Sequence, residues 1–171
     1  MVVFKQPGIP IFSNSELEEM KQLWKEGNVE NKESMLDTRK YTSSYITNNN
    51  LYTKKLLSWA ESVLEVPIYG NGVSLILHKF VEGDSFPKHQ DNGIASQGMR
   101  EYVIGCNLSS KYTGGDYTVY LDKTMNIDRT PGIPYIMRSD VLHEIKPILS
   151  GLRESCLIFL YEHNFKKQNL L

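Results

Sequence analysis

The stretch His78-Lys79-Phe80-Val81-Glu82-Gly83-Asp84-Ser85-Phe86-Pro87-Lys88-His89-Gln90-Asp91 decides the fold of this 171-residue chain. It begins as the end of an apolar, β-branched run, breaks at Gly83-Asp84, resumes with Phe86, and ends on an imidazole and a carboxylate two positions apart. In an extended chain residues i and i+2 share a face, so His89 and Asp91 point the same way. Chance alone produces a His-x-Asp often enough that the pair needs companions before it carries chemistry.

The companions lie downstream. His143 stands 52 positions after Asp91 and opens another strand-like segment, and Arg153 follows ten residues later at the start of the last one, with Ser155 on its face. Two histidines and one carboxylate on one side of a metal leave three positions open, the arrangement of non-haem Fe(II) oxygenases. His89, Asp91 and His143 are therefore the candidate metal ligands and catalytic centre. Of the remaining histidines, His78 sits within an apolar strand and reads as a core or supporting residue, and His163 as a surface residue.

From Gly72 onward the chain alternates strand and turn. Residues 73–81, 101–108, 117–121, 134–137 and 155–161 are β-branched or aromatic. Gly83-Asp84, Gly114-Gly115, Pro131-Gly132 and Ser150-Gly151 separate them. Upstream the signals are helical. Ser13 and Glu16 have capping-box spacing, Leu17, Met20 and Trp24 recur at helical intervals, and Gly27 is placed to end the helix. Residues 28–39 read as a polar loop, and Tyr41, Ser43, Tyr45 and Thr47 alternate as in a strand. Asn48-Asn49-Asn50 can cap a second helix with Leu56, Ala60, Val63 and Leu64 on one face, closed by Pro67. Helices followed by many short strands predict a β-sandwich or jelly roll with helices packed outside it.

Composition is that of a globular domain: 40% hydrophobic and 23% charged residues, with a net charge of −1. That balance gives no electrostatic reason to expect a nucleic-acid partner. The N-terminus does not read as a signal peptide, and no apolar run approaches the length of a membrane span. Cys106 and Cys156 lie in apolar strand segments and are expected to be buried free thiols, which predicts a reducing, cytoplasmic setting.

Three blocks carry a family resemblance. The stretch 78–91 resembles a strand–turn–HxD entry, Asn107-Leu108-Ser109-Ser110-Lys111-Tyr112-Thr113-Gly114-Gly115 a middle strand with its Gly-Gly turn, and His143 through Pro147 to Arg153 a distal histidine–arginine segment. Together they are similar to the prolyl 4-hydroxylase-like branch of the 2-oxoglutarate/Fe(II) dioxygenases, over residues 73–161. The resemblance implies a mainly β fold, a double-stranded β-helix (jelly-roll, cupin-like) core packed by N-terminal α-helices. It forms one domain over 1–171, with helical support in 1–70 and the catalytic core in 71–163. It implies Fe(II) on His89, Asp91 and His143, with 2-oxoglutarate and O2 as cosubstrates and ascorbate as an accessory reductant. Arg153 would bind the distal carboxylate, for which a planar guanidinium offers two parallel donors, and Ser155 would add a hydroxyl beside it. Where the family often has tyrosines, this chain has Phe80 and Asn107; Asn107 and Tyr102 are the candidates to replace those contacts.

The implied activity is hydroxylation of a peptidyl, prolyl-type or free amino-acid side chain, with succinate and CO2 released. A carboxylate at position 91 argues against halogenation, which needs that ligand position vacated. Two alternatives are weighed: a nucleic-acid demethylase, against which stand the net charge and the lack of any arginine after Arg153, and a non-catalytic cupin-like module, against which stands the complete residue set. Loops 28–39, 92–100 and 122–130 are the expected seats of specificity. Arg39, Tyr41, Arg100 and Arg138 are polar candidates within or near them, each more simply explained by a surface or strand role.

Overall fold

The computed structural model describes residues 2–33, 40–46, 50–70, 72–92 and 100–166. Its strands are β1 (Phe4–Lys5), β2 (Asn28–Glu33), β3 (Lys40–Ile46), β4 (Leu75–Phe80), β5 (Phe86–His89), β6 (Arg100–Asn107), β7 (Tyr112–Gly114), β8 (Tyr117–Tyr120), β9 (Thr124–Asn126), β10 (Tyr135–Arg138), β11 (Leu142–Ile145), β12 (Ile148–Gly151) and β13 (Arg153–Tyr161). A seven-stranded sheet runs in the order β1-β10-β6-β13-β4-β3-β2. It faces a smaller set, β5-β11-β8-β9, with β12-β7 paired separately. Every pairing is antiparallel. This is the expected double-stranded β-helix.

Two helices cover the outer face of the large sheet. Helix α1 (Asn14–Gln22) starts at the Ser13 capping box, both halves of which form, and α2 (Leu51–Leu64) starts where the Asn50 side chain accepts from the Thr53 amide. Helix α1 does not run on to Gly27: it tightens into a 3₁₀ turn at Leu23–Glu26. Helix α2 ends one turn before Pro67, with Glu65 in the left-handed region.

Side-chain alternation divides the core in two. Met20, Leu56, Ala60, Leu75, Leu77, Ile104, Cys106, Ile136, Cys156, Ile158 and Leu160 pack between helices and sheet. Tyr41, Phe80, Val103, Tyr112, Tyr117, Val119, Tyr135, Met137 and Ile145 fill the space between the two sheets. Burying a side chain of this kind stabilises the fold by roughly 1.5–3 kcal/mol, so both layers are needed. Cys106 and Cys156 are free, buried and cross-strand neighbours, as expected of thiols in this layer.

The structure departs from the sequence reading in three places. Residues 1–70 are more than helical support, because β1, β2 and β3 supply three of the seven strands of the large sheet. The supposed loop at 28–39 begins as β2, paired with β3 from Asn28↔Tyr45 to Glu33↔Lys40; residues 34–39, Arg39 among them, lie outside the described residues. The loop at 122–130 contains β9, which pairs with β8. Polar strands at a sheet edge lack an apolar period to betray them. Most of the 92–100 loop lies outside the described residues.

Candidate metal and cosubstrate site

The site lies between the sheets, and strand register builds it. His89 ends β5 and is the direct cross-strand partner of His143 on β11, so both imidazoles enter the same space, ring centroids 4.2 Å apart. Asp91 follows in the turn, fixed because its amide donates to Ser139 O at 2.7 Å. His89 Nε2 stands 3.6 Å from Asp91 Oδ1, and His143 Nε2 stands 3.5 Å from Asp91 Oδ2. One ligand atom from each of the three residues falls within 4.8 Å of the others. These are the three residues singled out by spacing.

The tautomers are fixed by backbone carbonyls, which can only accept. His89 Nδ1 therefore donates to Pro87 O at 2.7 Å and His143 Nδ1 to Val141 O at 2.8 Å, leaving both Nε2 lone pairs turned toward Asp91. Burial holds the His143 pKa below the ordinary histidine value, with the Asp91 charge opposing it only in part, so the ring stays neutral. Burial raises the Asp91 carboxyl, but the adjoining His89 and His143 imidazoles and the Arg100 guanidinium outweigh it and hold the group below the usual carboxylate value. Two imidazole nitrogens and one carboxylate oxygen are the donors a divalent iron requires, and each imidazole has the second hydrogen bond that orients a ligating histidine.

Arg153 opens β13 and is 2% exposed. Its Nη1 donates to Ser155 Oγ at 3.1 Å, its Cζ lies 5.3 Å from the Phe80 ring centroid and 5.9 Å from that of Tyr117, and its Nε has no hydrogen-bond partner. No carboxylate of the described residues pairs with it. A buried guanidinium without an anion is costly, and the natural compensation is a ligand carboxylate. Asn107, the cross-strand partner of Ser155, is buried with its Oδ1 unpartnered.

Tyr102 requires a correction. It stands five residues from Asn107 on β6, an odd interval, and so faces the opposite side of the sheet. Its ring packs with the helix-side core and meets Phe165 at 6.0 Å, edge to face. It is removed from the cosubstrate contacts. Tyr117 and Tyr135, which sequence reasoning missed, face the site instead. The Tyr117 ring lies 5.4 Å from His143 and 5.3 Å from Tyr135, and burial raises both phenols well above their ordinary value, so they remain O–H donors. Tyr117 follows Gly114-Gly115, at φ +68° and +63°, a turn that only glycine makes without strain. Tyr135 is housed by Gly105, where a Cβ would come within 2.8 Å of the Tyr135 hydroxyl.

The other candidates disperse. Tyr41 is in the core, stacked on Phe80 and Phe86, both at 5.1 Å. Arg138 binds Asp140 through Nε and Nη2, at 2.9 and 2.6 Å. Ser155 and Arg100 remain beside the site.

No family model matches the chain. Over 88 residues, 49% of its length, it is 31% identical to a PKHD-type hydroxylase from Synechococcus sp. (strain CC9605), and the match spans 40% of that relative. A 2OG-Fe(II) oxygenase family oxidoreductase from Burkholderia pseudomallei superposes with a TM-score of 0.74 at 12% identity, covering 97% of this chain and 88% of that one. A prolyl hydroxylase from Trichoplax adhaerens, solved with a hypoxia inducible factor oxygen degradation domain peptide fragment, gives 0.72 at 17% identity, covering 94% and 84%. In fold, the chain resembles the prolyl 4-hydroxylase-like 2-oxoglutarate/Fe(II) oxygenases.

Proposed function

We propose that the chain is an Fe(II)- and 2-oxoglutarate-dependent hydroxylase acting on a peptidyl, prolyl-type or free amino-acid side chain. The observation that carries this is a His–Asp–His donor set sharing one inter-sheet space with a buried arginine that has no ion-pair partner among the described residues. Donor set and orphaned guanidinium fit the two groups: His89, Asp91 and His143 would hold Fe(II), and Arg153 with Ser155 would hold the distal carboxylate of 2-oxoglutarate. When bound, iron and cosubstrate supply the oxygen activation and oxidative decarboxylation that yield succinate and CO2. The protein's part is to bind, orient and keep water out. Arg153 offers a fork of donors in a dry setting, where charge-assisted bonds are strong. Tyr117 and Tyr135 stand where protonated hydroxyls can steady the cosubstrate, in place of the tyrosines absent at Phe80 and Asn107. Phe86, stacked on the His89 ring at 3.7 Å, holds that imidazole in position.

The prolyl-type substrate is supported by the peptide bound to the Trichoplax neighbour. Incubation with Fe(II), 2-oxoglutarate, ascorbate and proline-containing peptides or free amino acids, followed by mass spectrometry, tests the reading. The expected result is one oxygen added to substrate per succinate formed. Stimulation by methylated oligonucleotides with formaldehyde released would replace it with a demethylase, and absence of succinate under every condition with a non-catalytic module.

A further inference from the structure

A second arginine reaches the same space by an irregularity of the sheet. On β6 the even-numbered residues Tyr102, Ile104 and Cys106 face the helices, and strict alternation would send Arg100 there too. Between β6 and β13, however, the register shifts: Leu160 pairs with Tyr102 and Tyr161 with Arg100, leaving Glu101 as an extra residue. That bulge reverses the parity and turns Arg100 inward, a common use of bulges beside functional sites. Its guanidinium lies 3.8 Å from the Phe159 ring centroid, and its Nη1 is 3.4 Å from Asp91 O. Its backbone is anchored because Ser139 Oγ donates to Arg100 O, and Ser139 also binds the Asp91 amide.

Among the described residues, Arg129 is paired with Asp116 and Arg138 with Asp140. Within the same described residues neither Arg100 nor Arg153 forms an ion pair, and the Arg100 Nε is buried without a partner among them. Residues 93–99, which precede it, contain no Asp or Glu. On the oxygenase reading, on which this inference rests, the charges of Fe(II), Asp91, dianionic 2-oxoglutarate and Arg153 cancel. Among the described residues, Arg100 then carries an uncompensated charge at the edge of the site. We infer that Arg100 is a specificity-determining residue that binds a carboxylate of the substrate, so the hydroxylated molecule carries an anionic group close to the reacting carbon. The carboxylate belongs either to a free amino acid or to an acidic residue beside the target in a peptide.

Anaerobic calorimetry on protein loaded with Fe(II) and 2-oxoglutarate tests this with matched probes: free amino acids including L-proline against their amides, and acetylated Pro-Asp against Pro-Asn dipeptide amides. Binding is expected for carboxylate members of one pair type, which identifies the source, and at least tenfold more weakly for the matched amides. Arg100→Gln should lose that preference, Arg100→Lys should restore part of it, and both should keep Fe(II) and 2-oxoglutarate uptake. Equal binding of acids and amides, no binding of any carboxylate probe, or an undiminished preference in Arg100→Gln would overturn the inference while leaving the oxygenase reading intact. Failure of the wild type to take up Fe(II) and 2-oxoglutarate would remove that reading itself, and this inference with it.

Discussion

Arg153 illustrates how a single buried charge constrains function. Its one hydrogen-bond acceptor among the described residues is a neutral hydroxyl, at 3.1 Å, and its other neighbours are aromatic faces. Truncating one partner of a buried, charge-assisted contact costs about 2–5 kcal/mol. Arg153→Ala should therefore weaken 2-oxoglutarate binding by about 30-fold or more, with Fe(II) affinity nearly unchanged, as anaerobic calorimetry would measure. Arg153→Lys should recover only part of the loss because it lacks the fork. Unchanged 2-oxoglutarate affinity in Arg153→Ala would assign the distal carboxylate to another residue. The position of Arg153 was legible because its spacing from His143 survives in sequence. The placement of Tyr117 beside His143, and of Tyr135 beside Tyr117, was not, because which face a strand residue takes depends on register. One parity check was available: Tyr102 and Asn107, five apart on one strand, cannot both face the cosubstrate.

Among elements, the helices were the most legible, since the Ser13 capping box and the Asn50 cap are written in local residues. What joins them was not. The Tyr52 hydroxyl on α2 donates to Glu19 on α1 at 2.8 Å, a contact between residues 33 positions apart. Burial, reinforced by the Glu19 carboxylate, pushes the Tyr52 phenol up to about 12 from 10.0. A raised folded-state value means that the contribution is fully present below pH 10, fades as pH rises, and is gone above the folded-state value. Tyr52→Phe should thus be less stable than wild type at neutral pH, by roughly 1.5–3 kcal/mol for a bond to a charged acceptor. The gap should close between pH 10 and 12. Urea unfolding at a series of pH values measures it; a constant gap across that window would show that the phenol does not titrate differently on folding. The bulge at Glu101 was equally invisible, since nothing local marks an extra residue in an apolar strand.

At the scale of the whole molecule, the sequence order of motifs matched the spatial order because a jelly roll folds its strands back on one another. His89 and His143, 54 residues apart, become cross-strand partners, and Arg153 enters from the neighbouring sheet. The contribution of the first 70 residues to the large sheet was hidden, because β1 has two residues and β2 has Val29 as its single apolar residue. None of the helices described is long and apolar enough to cross a membrane. The central claim is that one site binds both Fe(II) and 2-oxoglutarate through these residues. It is tested most directly by anaerobic titration of 2-oxoglutarate into Fe(II)-loaded protein, following the visible charge-transfer absorption of the chelated 2-oxo acid. The account predicts saturation at one cosubstrate per chain, with the band lost in His89→Ala, Asp91→Ala and His143→Ala and shifted to higher concentration in Arg153→Ala. Wild-type iron affinity in two of the three ligand variants, or an iron-loaded protein that never develops the band, would contradict it.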